Sequence, residues 1–290
     1  MENISSACWL IKCVFDDEMP EDLSNFFDEY FDVTAINYQD NGKEEAVGYK
    51  SLTFDEKDML RQADSFGVKM PEYKIEFLES KDWLKENVIK FSSFEIGNFL
   101  IFGSHEKTAP ATDKLSVMIY AATAFGSEHQ TTKMCLKAIS DLANRKYDCK
   151  KILDIGTGSG ILSIAAAKQW PQAQITAVDI DAESVEVCKK NANDNNTGKN
   201  IKCFLGDGYS LKEITDSAPY DLILTNIFAR PLIEMCKDMA KNLKTGGLGI
   251  ISGFIDEQLD WVVSEHEKVG FKLKKIYEKD NWRAAILEKI

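Results

Sequence analysis

Apolar and polar residues alternate along the first 80 positions in runs short enough to predict a succession of small elements. ACWLIKCVF (7–15), VTAINY (33–38) and YKIEFLE (73–79) read as strands. In PEDLSNFFDEYF (20–31), Leu23, Phe26, Phe27, Tyr30 and Phe31 recur at spacings of three and four, which predicts a helix with one apolar face. Pro20 at its start and acids in its first turn suit a helix N-terminus. DNGKEE (40–45) reads as a polar turn and FDEKDMLRQADSFG (54–67) as a second helix. The order strand–helix–strand, strand–helix–strand predicts a small α+β domain of ferredoxin-like type over residues 1–80. An amphipathic KDWLKENVIKF (81–91), a strand-like FEIGNFLIFG (94–103) and a polar loop around Pro110 make 81–114 a linker region.

The second domain is placed at 115–290, and from Lys150 onward its pattern is regular. KILDI, QITAVDI, IKCFLG, YDLILTN and LGIIS are short β-rich runs separated by helix-length segments, among them ILSIAAAKQW, AESVEVCKKNANDN, ARPLIEMCKDMAKNL and EQLDWVVSEHEKVG. Such alternation predicts a parallel sheet covered by helices, because parallel neighbours need crossover connections. FKLKKIYEK (271–279) and WRAAILEK (282–289), joined by Asp280 and Asn281, predict a terminal antiparallel hairpin.

Charge divides the chain. The formal net charge is −12, and residues 1–80, with 19 acidic against 7 basic side chains, account for all of it; the remaining residues carry 28 of each sign. An acidic first domain is unsuited to a nucleic-acid backbone and suited to a basic protein partner, although solubility alone would also account for it. Seven cysteines in no metal-ligand spacing predict free thiols, with Cys135 and Cys188 buried, and no metal. No basic, apolar leader and no run of about 18 apolar residues is present, so a cytoplasmic protein without membrane attachment is expected, and a monomer. The five tryptophans are expected in packing roles, and His105 and His266, in polar contexts, in solvent.

Four features carry candidate chemistry, and the first three belong together. Gly156-Thr157-Gly158-Ser159-Gly160 follows the first strand of the alternating region and opens into a helix, so its backbone can approach a ligand. Ile161 stands where a dinucleotide fingerprint has its third glycine, which weakens a nicotinamide reading. Asp179, at the tip of the next strand, can accept both hydroxyls of a ribose; Asp181 competes for that role, and one of the two is expected to cap the helix beginning at Ala182. Asn226 ends the fourth strand and faces the same crevice, where its carbonyl oxygen can orient an amine or amide, although a turn residue would also fit. His129, in AFGSEHQTT (124–132), has the chemistry of a base.

Together these features resemble a class I S-adenosylmethionine-dependent methyltransferase. Within that class the chain is similar to the bacterial family that modifies large-subunit ribosomal protein eleven: AFGSEHQTTKMCL is similar to the family's AFGTGxHxTTxxCL, ILDIGTGSGILSIAAAK to its first motif, and NIFARPL and GGLGIISGF to its NILAxPL and GGxLxLSG. The resemblance implies a Rossmann-like α/β fold, a seven-stranded mostly parallel sheet ending in the hairpin. It implies S-adenosylmethionine contact by Thr132, Gly156, Gly158, Gly160, Asp179 and Asn226, with Phe125 and Gly126 shaping a loop over the methyl donor and Asn226 as the catalytic residue. It also implies lysine and N-terminal amines of a basic ribosomal protein as substrate, with the first domain as the recognition arm. FGSE in place of FGTG puts Glu128 where the family has glycine, and FSSF replaces an earlier proline-containing motif. Alternatives are another class I methyltransferase, acting on protein glutamine or RNA, or a non-catalytic cofactor-binding homologue. NIFA is not the NPPY-type motif of the glutamine enzymes, and no basic patch favours RNA. Methyl transfer is a one-step displacement, so Thr132 outweighs His129 as the residue of interest in its stretch.

Overall fold

The computed structural model describes residues 8–15, 19–31, 33–38, 43–50, 54–78, 91–106, 111–120 and 129–290. The chain divides into two compact units, 1–83 and 84–290. Among the described residues no helix is long and apolar enough to cross a membrane.

The first unit runs β1 (Cys8–Phe15), α1 (Glu21–Tyr30), β2 (Val33–Tyr38), β3 (Glu44–Lys50), α2 (Glu56–Ser65) and β4 (Tyr73–Leu78). Its four strands pair antiparallel in the order β2-β3-β1-β4. The apolar stripe of α1 does what its spacing predicts: Leu23, Phe26, Phe27 and Phe31 are buried with Ile11 and Cys13 of β1 and Met59 and Ala63 of α2. β3 is the strand that hydrophobic pattern alone passes over, since it begins inside the polar turn and contains Gly48. That glycine has a packing reason. A Cβ there would lie 2.5 Å from the Phe31 ring, so the ring lies directly on the strand's backbone.

In the second unit, β5 (Phe94–Ile96), β6 (Phe99–Gly103) and β7 (Leu115–Ile119) form a three-stranded sheet, β5 and β6 antiparallel and β6 and β7 parallel. The stretch 94–103, part of the region between domains in the sequence reading, thus pairs with β7 and shares a core with the helices of this unit. The main sheet contains β8 (Lys151–Ile155), β9 (Gln174–Asp179), β10 (Ile201–Leu205), β11 (Tyr220–Asn226), β12 (Leu243–Ile255), β13 (Phe271–Lys279) and β14 (Trp282–Lys289). Its order is β10-β9-β8-β11-β12-β14-β13, parallel from β10 to β12, with β14 antiparallel to both β12 and β13. The predicted hairpin stands, with Asp280 at φ +53° in its turn.

Both faces are covered. Ile152, Leu222, Leu224 and Ile250 meet α3 (Gln130–Asn144), α4 (Ile161–Gln169) and α5 (Ala182–Asp194), whereas Leu153, Ile155, Ile223 and Ile251 belong to the opposite core with α7 (Ala229–Glu234), α8 (Cys236–Asn242) and α9 (Leu259–Glu267); α6 (Lys212–Ser217) precedes β11. This two-sided burial explains the near-continuous apolar runs of β8 and β11. Residues 161–167 of α4 are all buried, so only its last turn, at Lys168 and Gln169, reaches solvent. The single helix predicted over ARPLIEMCKDMAKNL is two short ones meeting at Met235.

His266 departs from expectation. It is fully buried on α9, its Nδ1 2.8 Å from the Val262 carbonyl oxygen and its ring edge-on to Phe271, and burial lowers its pKa from the usual histidine value. The helical spacing places it on the inner face beside Val262, a placement its charged sequence neighbours conceal.

Candidate active site

The parallel strands share a C-terminal edge at which Ile155 is level with Val178, Leu205 with Asp179, and Asn226 with Ser252. Chain topology reverses at β8, between β9 and β11, and such a reversal leaves a crevice above the sheet. Two cavities open there, of about 260 and 450 Å³, with Ile227 and Phe228 in the walls of both.

The glycine loop fills the gap between β8 and α4. Gly156, Gly158 and Gly160 have φ of +71°, +53° and +79°, the left-handed region in which a side chain is strained. Packing enforces the same choice at Gly160, where a Cβ would lie 2.6 Å from Cys188 Sγ, whereas at Gly158 it would meet nothing within 4 Å. Beneath the loop, the buried Asp154 carboxylate accepts from Thr157 Oγ1 at 2.9 Å and Ser163 Oγ at 2.6 Å. Burial pushes the Asp154 pKa up to about 6 against the charge-stabilising pull of those two hydroxyls.

Asp179 is tied to this loop. Its Oδ2 accepts from the Gly158 amide at 2.8 Å and its Oδ1 from the Asp181 amide at 3.0 Å, which fixes the carboxylate over the larger cavity that it lines with Gly156, Ile180 and Asp207. Each carboxylate oxygen retains acceptor capacity for a ribose hydroxyl. Asp181 takes the competing role, capping α5 by accepting from the Glu183 and Ser184 amides at 3.2 and 3.0 Å.

The smaller cavity is lined by His129, Thr132, Gly158, Asn226, Phe228 and Trp282, among others. Asn226 donates from Nδ2 to Thr132 Oγ1 at 3.1 Å, joining the tip of β11 to the first turn of α3 across 94 residues of sequence. Gly253, at φ +101°, makes this arrangement possible. A Cβ there would fall 2.1 Å from the Ile227 carbonyl oxygen, so only glycine lets the turn after Asn226 lie against β12. His129 is the N-cap of α3: its Nδ1 accepts from the Thr131 amide at 3.4 Å and lies 2.9 Å from Thr131 Oγ1, while its ring stands edge-on to Trp282 at 4.7 Å between centroids. A second support comes from α5. The buried Asn191 accepts from the Tyr120 amide at 2.8 Å and donates to the Tyr120 and Ser159 carbonyl oxygens at 3.0 and 2.8 Å, so one side chain links the end of β7 to the glycine loop.

The structure therefore gathers Thr132, Gly156, Gly158, Gly160, Asp179 and Asn226 at one sheet edge. Phe125 and Gly126, with Ser127 and Glu128, lie outside the described residues. Asp207 and Trp282 are cavity residues that sequence reasoning missed. Asp207 had a signal, since GDG sets an acid between two glycines just after β10, the strand beside β9. Trp282, read as packing, reaches the cavity because the terminal hairpin begins its return strand beside α3, which no local pattern reveals.

Comparison with known proteins adds an independent line. The family model for ribosomal protein L11 methyltransferase matches residues 13–289. A ribosomal protein L11 methyltransferase of Rhodopseudomonas palustris (strain BisB5) is 34% identical over 216 residues, covering 74% of this chain and 72% of that protein. One from Caulobacter sp. (strain K31) is 36% identical over 216 residues, 74% of this chain and 73% of that protein. The crystal structure of a ribosomal protein L11 methylase from Lactobacillus delbrueckii subsp. bulgaricus superposes with a TM-score of 0.60 at 26% identity, covering 69% of this chain and 99% of that one.

Proposed function

Because the chain belongs to the ribosomal protein L11 methyltransferase family, we propose that it transfers methyl groups from S-adenosylmethionine to lysine side-chain and N-terminal amines of that ribosomal protein. The observation that carries this reading is the Asn226–Thr132 pair. With the Asn226 amide nitrogen engaged by Thr132, its carbonyl oxygen is the group suited to accept a hydrogen from an amine in the smaller cavity.

The crevice suits the cofactor: the Asp179 carboxylate faces the larger cavity, and the loop at Gly158 leaves space for close approach to backbone. S-adenosylmethionine, when bound, supplies a sulfonium-activated methyl group. Asp179 and the glycine loop hold and orient, and Asn226 aims the nitrogen lone pair of the acceptor. A lysine amine, with a pKa of about 10.4 in water, must first be neutral. The apolar walls formed by Ile227, Phe228 and Trp282 disfavour its charged form. The acidic first unit provides the complementary charge for a basic protein substrate.

Incubating the purified chain with methyl-labelled cofactor and ribosomal protein L11 is expected to label the protein at amines; label in RNA alone, or cofactor binding without transfer, overturns the reading. Asn226→Ala is expected to lower turnover about a hundredfold, a larger change than the fall in cofactor affinity that loss of its cofactor contact brings. Thr132→Val should lower turnover by about tenfold and add little in the Asn226→Ala background, because the two side chains act as one unit.

A further inference from the structure

Cys188 and Cys203 are a thiol pair that methyl transfer does not use. Cys188 lies on α5 and Cys203 on β10, the edge strand of the main sheet, and their Sγ atoms are 3.2 Å apart. Cys188 is fully buried and Cys203 is partly open to solvent. The pair also touches the glycine loop. Cys188 Sγ is 3.7 Å from Thr157 Oγ1 and occupies the space a Cβ on Gly160 would need. The structure assigns to Cys188 and Cys203 a disulfide-forming site, oxidised by a peroxide entering at the β10 edge, whose closure draws the supporting sulfur from beneath the glycine loop.

The chemistry balances in two steps. Cys203 thiolate attacks one peroxide oxygen and the O–O bond breaks, leaving a sulfenic acid on Cys203 and hydroxide, which takes up the proton released by the thiol to become water. Cys188 Sγ then attacks the Cys203 sulfur, the S–O bond breaks, and the oxygen leaves with the Cys188 proton as a second water. The order follows from placement. Cys203 is the more exposed residue of the pair, and its pKa is lowered by its hydrogen-bonded contact with Cys188 and by the nearby Lys189 ammonium, whereas the buried Cys188 is raised. A disulfide holds its sulfurs at about 2.05 Å, so closure moves them together by about 1.1 Å in total. Any share of that movement taken by Cys188 withdraws its contact with Gly160 and Thr157. The predicted loss of cofactor binding rests on the proposed role of the glycine loop; formation of the bond does not.

The test treats the full-length protein with hydrogen peroxide, blocks remaining thiols under denaturing conditions, and maps tryptic peptides. Trypsin cuts after Lys189 and after Lys202, so the two cysteines fall on separate peptides that only a disulfide joins. The expected result is a Cys188–Cys203 linked pair, reversed by dithiothreitol and absent in Cys203→Ser. S-adenosylmethionine affinity, measured by calorimetry on the same samples, is expected to fall about tenfold on oxidation in the natural chain, to recover with dithiothreitol, and to be unmoved by peroxide in Cys203→Ser. Free thiols at both positions after peroxide, or Cys203 driven to sulfinic acid without linkage, overturns the site. Linkage with unchanged affinity overturns its coupling to the loop. Reduced protein that binds no cofactor overturns the glycine-loop reading while leaving the disulfide result to stand or fall separately.

Discussion

Asp154 shows how the glycine loop is held from below by a side chain that ligand chemistry does not need. Its carboxylate is buried and satisfied by two hydroxyls, with a pKa of about 6 against about 3.9 in an unfolded chain. A raised acid pKa means that the folded state retains its proton longer, so this group's contribution makes stability fall as pH rises from about 4 to about 6, by up to about 3 kcal/mol, and level off above. Urea unfolding of the natural chain and Asp154→Asn across that range should show this component absent from the variant. At this scale the sequence was informative where a residue type has few uses. The placement of Asp179 and Asn226 at strand tips beside a glycine loop was legible, whereas which of Asp179 and Asp181 caps α5 needed hydrogen bonds to decide. His266 was misread because its polar neighbours Ser264, Glu265, Glu267 and Lys268 are half-buried or exposed while it enters the core.

Among the elements, the strands of the main sheet were readable because burial on both faces leaves long apolar runs. β3 was not, since its one glycine and acidic start look like a turn until Phe31 is seen lying on Gly48. The break at Met235 was equally hidden, as both helices share one apolar pattern. The tip of β11 depends on a neighbour for its shape. Gly253→Ala would place a methyl 2.1 Å from the Ile227 carbonyl oxygen at a positive φ, and should displace the Asn226 turn, lowering stability by about 2 kcal/mol or more. Gly246→Ala, also at positive φ but with nothing within 4 Å, should cost only about 1 kcal/mol and leave transfer intact. Thermal melts and methyl-transfer rates of the two variants separate steric displacement from backbone strain.

For the whole molecule, charge and burial divide along the chain. All the formal excess of −12 lies in residues 1–80, so attraction to a basic protein substrate should weaken as salt rises. The KM for ribosomal protein L11 is expected to increase about tenfold between 50 and 300 mM salt, values chosen to bracket Debye lengths of about 14 and 6 Å, while cofactor affinity changes little. The segment that carries the glycine loop into the core obeys a different constraint. With residues 161–167 of α4 all buried, no face of that stretch can be uncovered without separating the elements packed around it. Its backbone amides therefore have no local opening through which to trade their hydrogens for solvent deuterium. Ile164 to Ala167 should exchange only with global unfolding of the second unit, and cofactor should slow that exchange by the full factor of its binding, making these amides a direct gauge of ligand affinity.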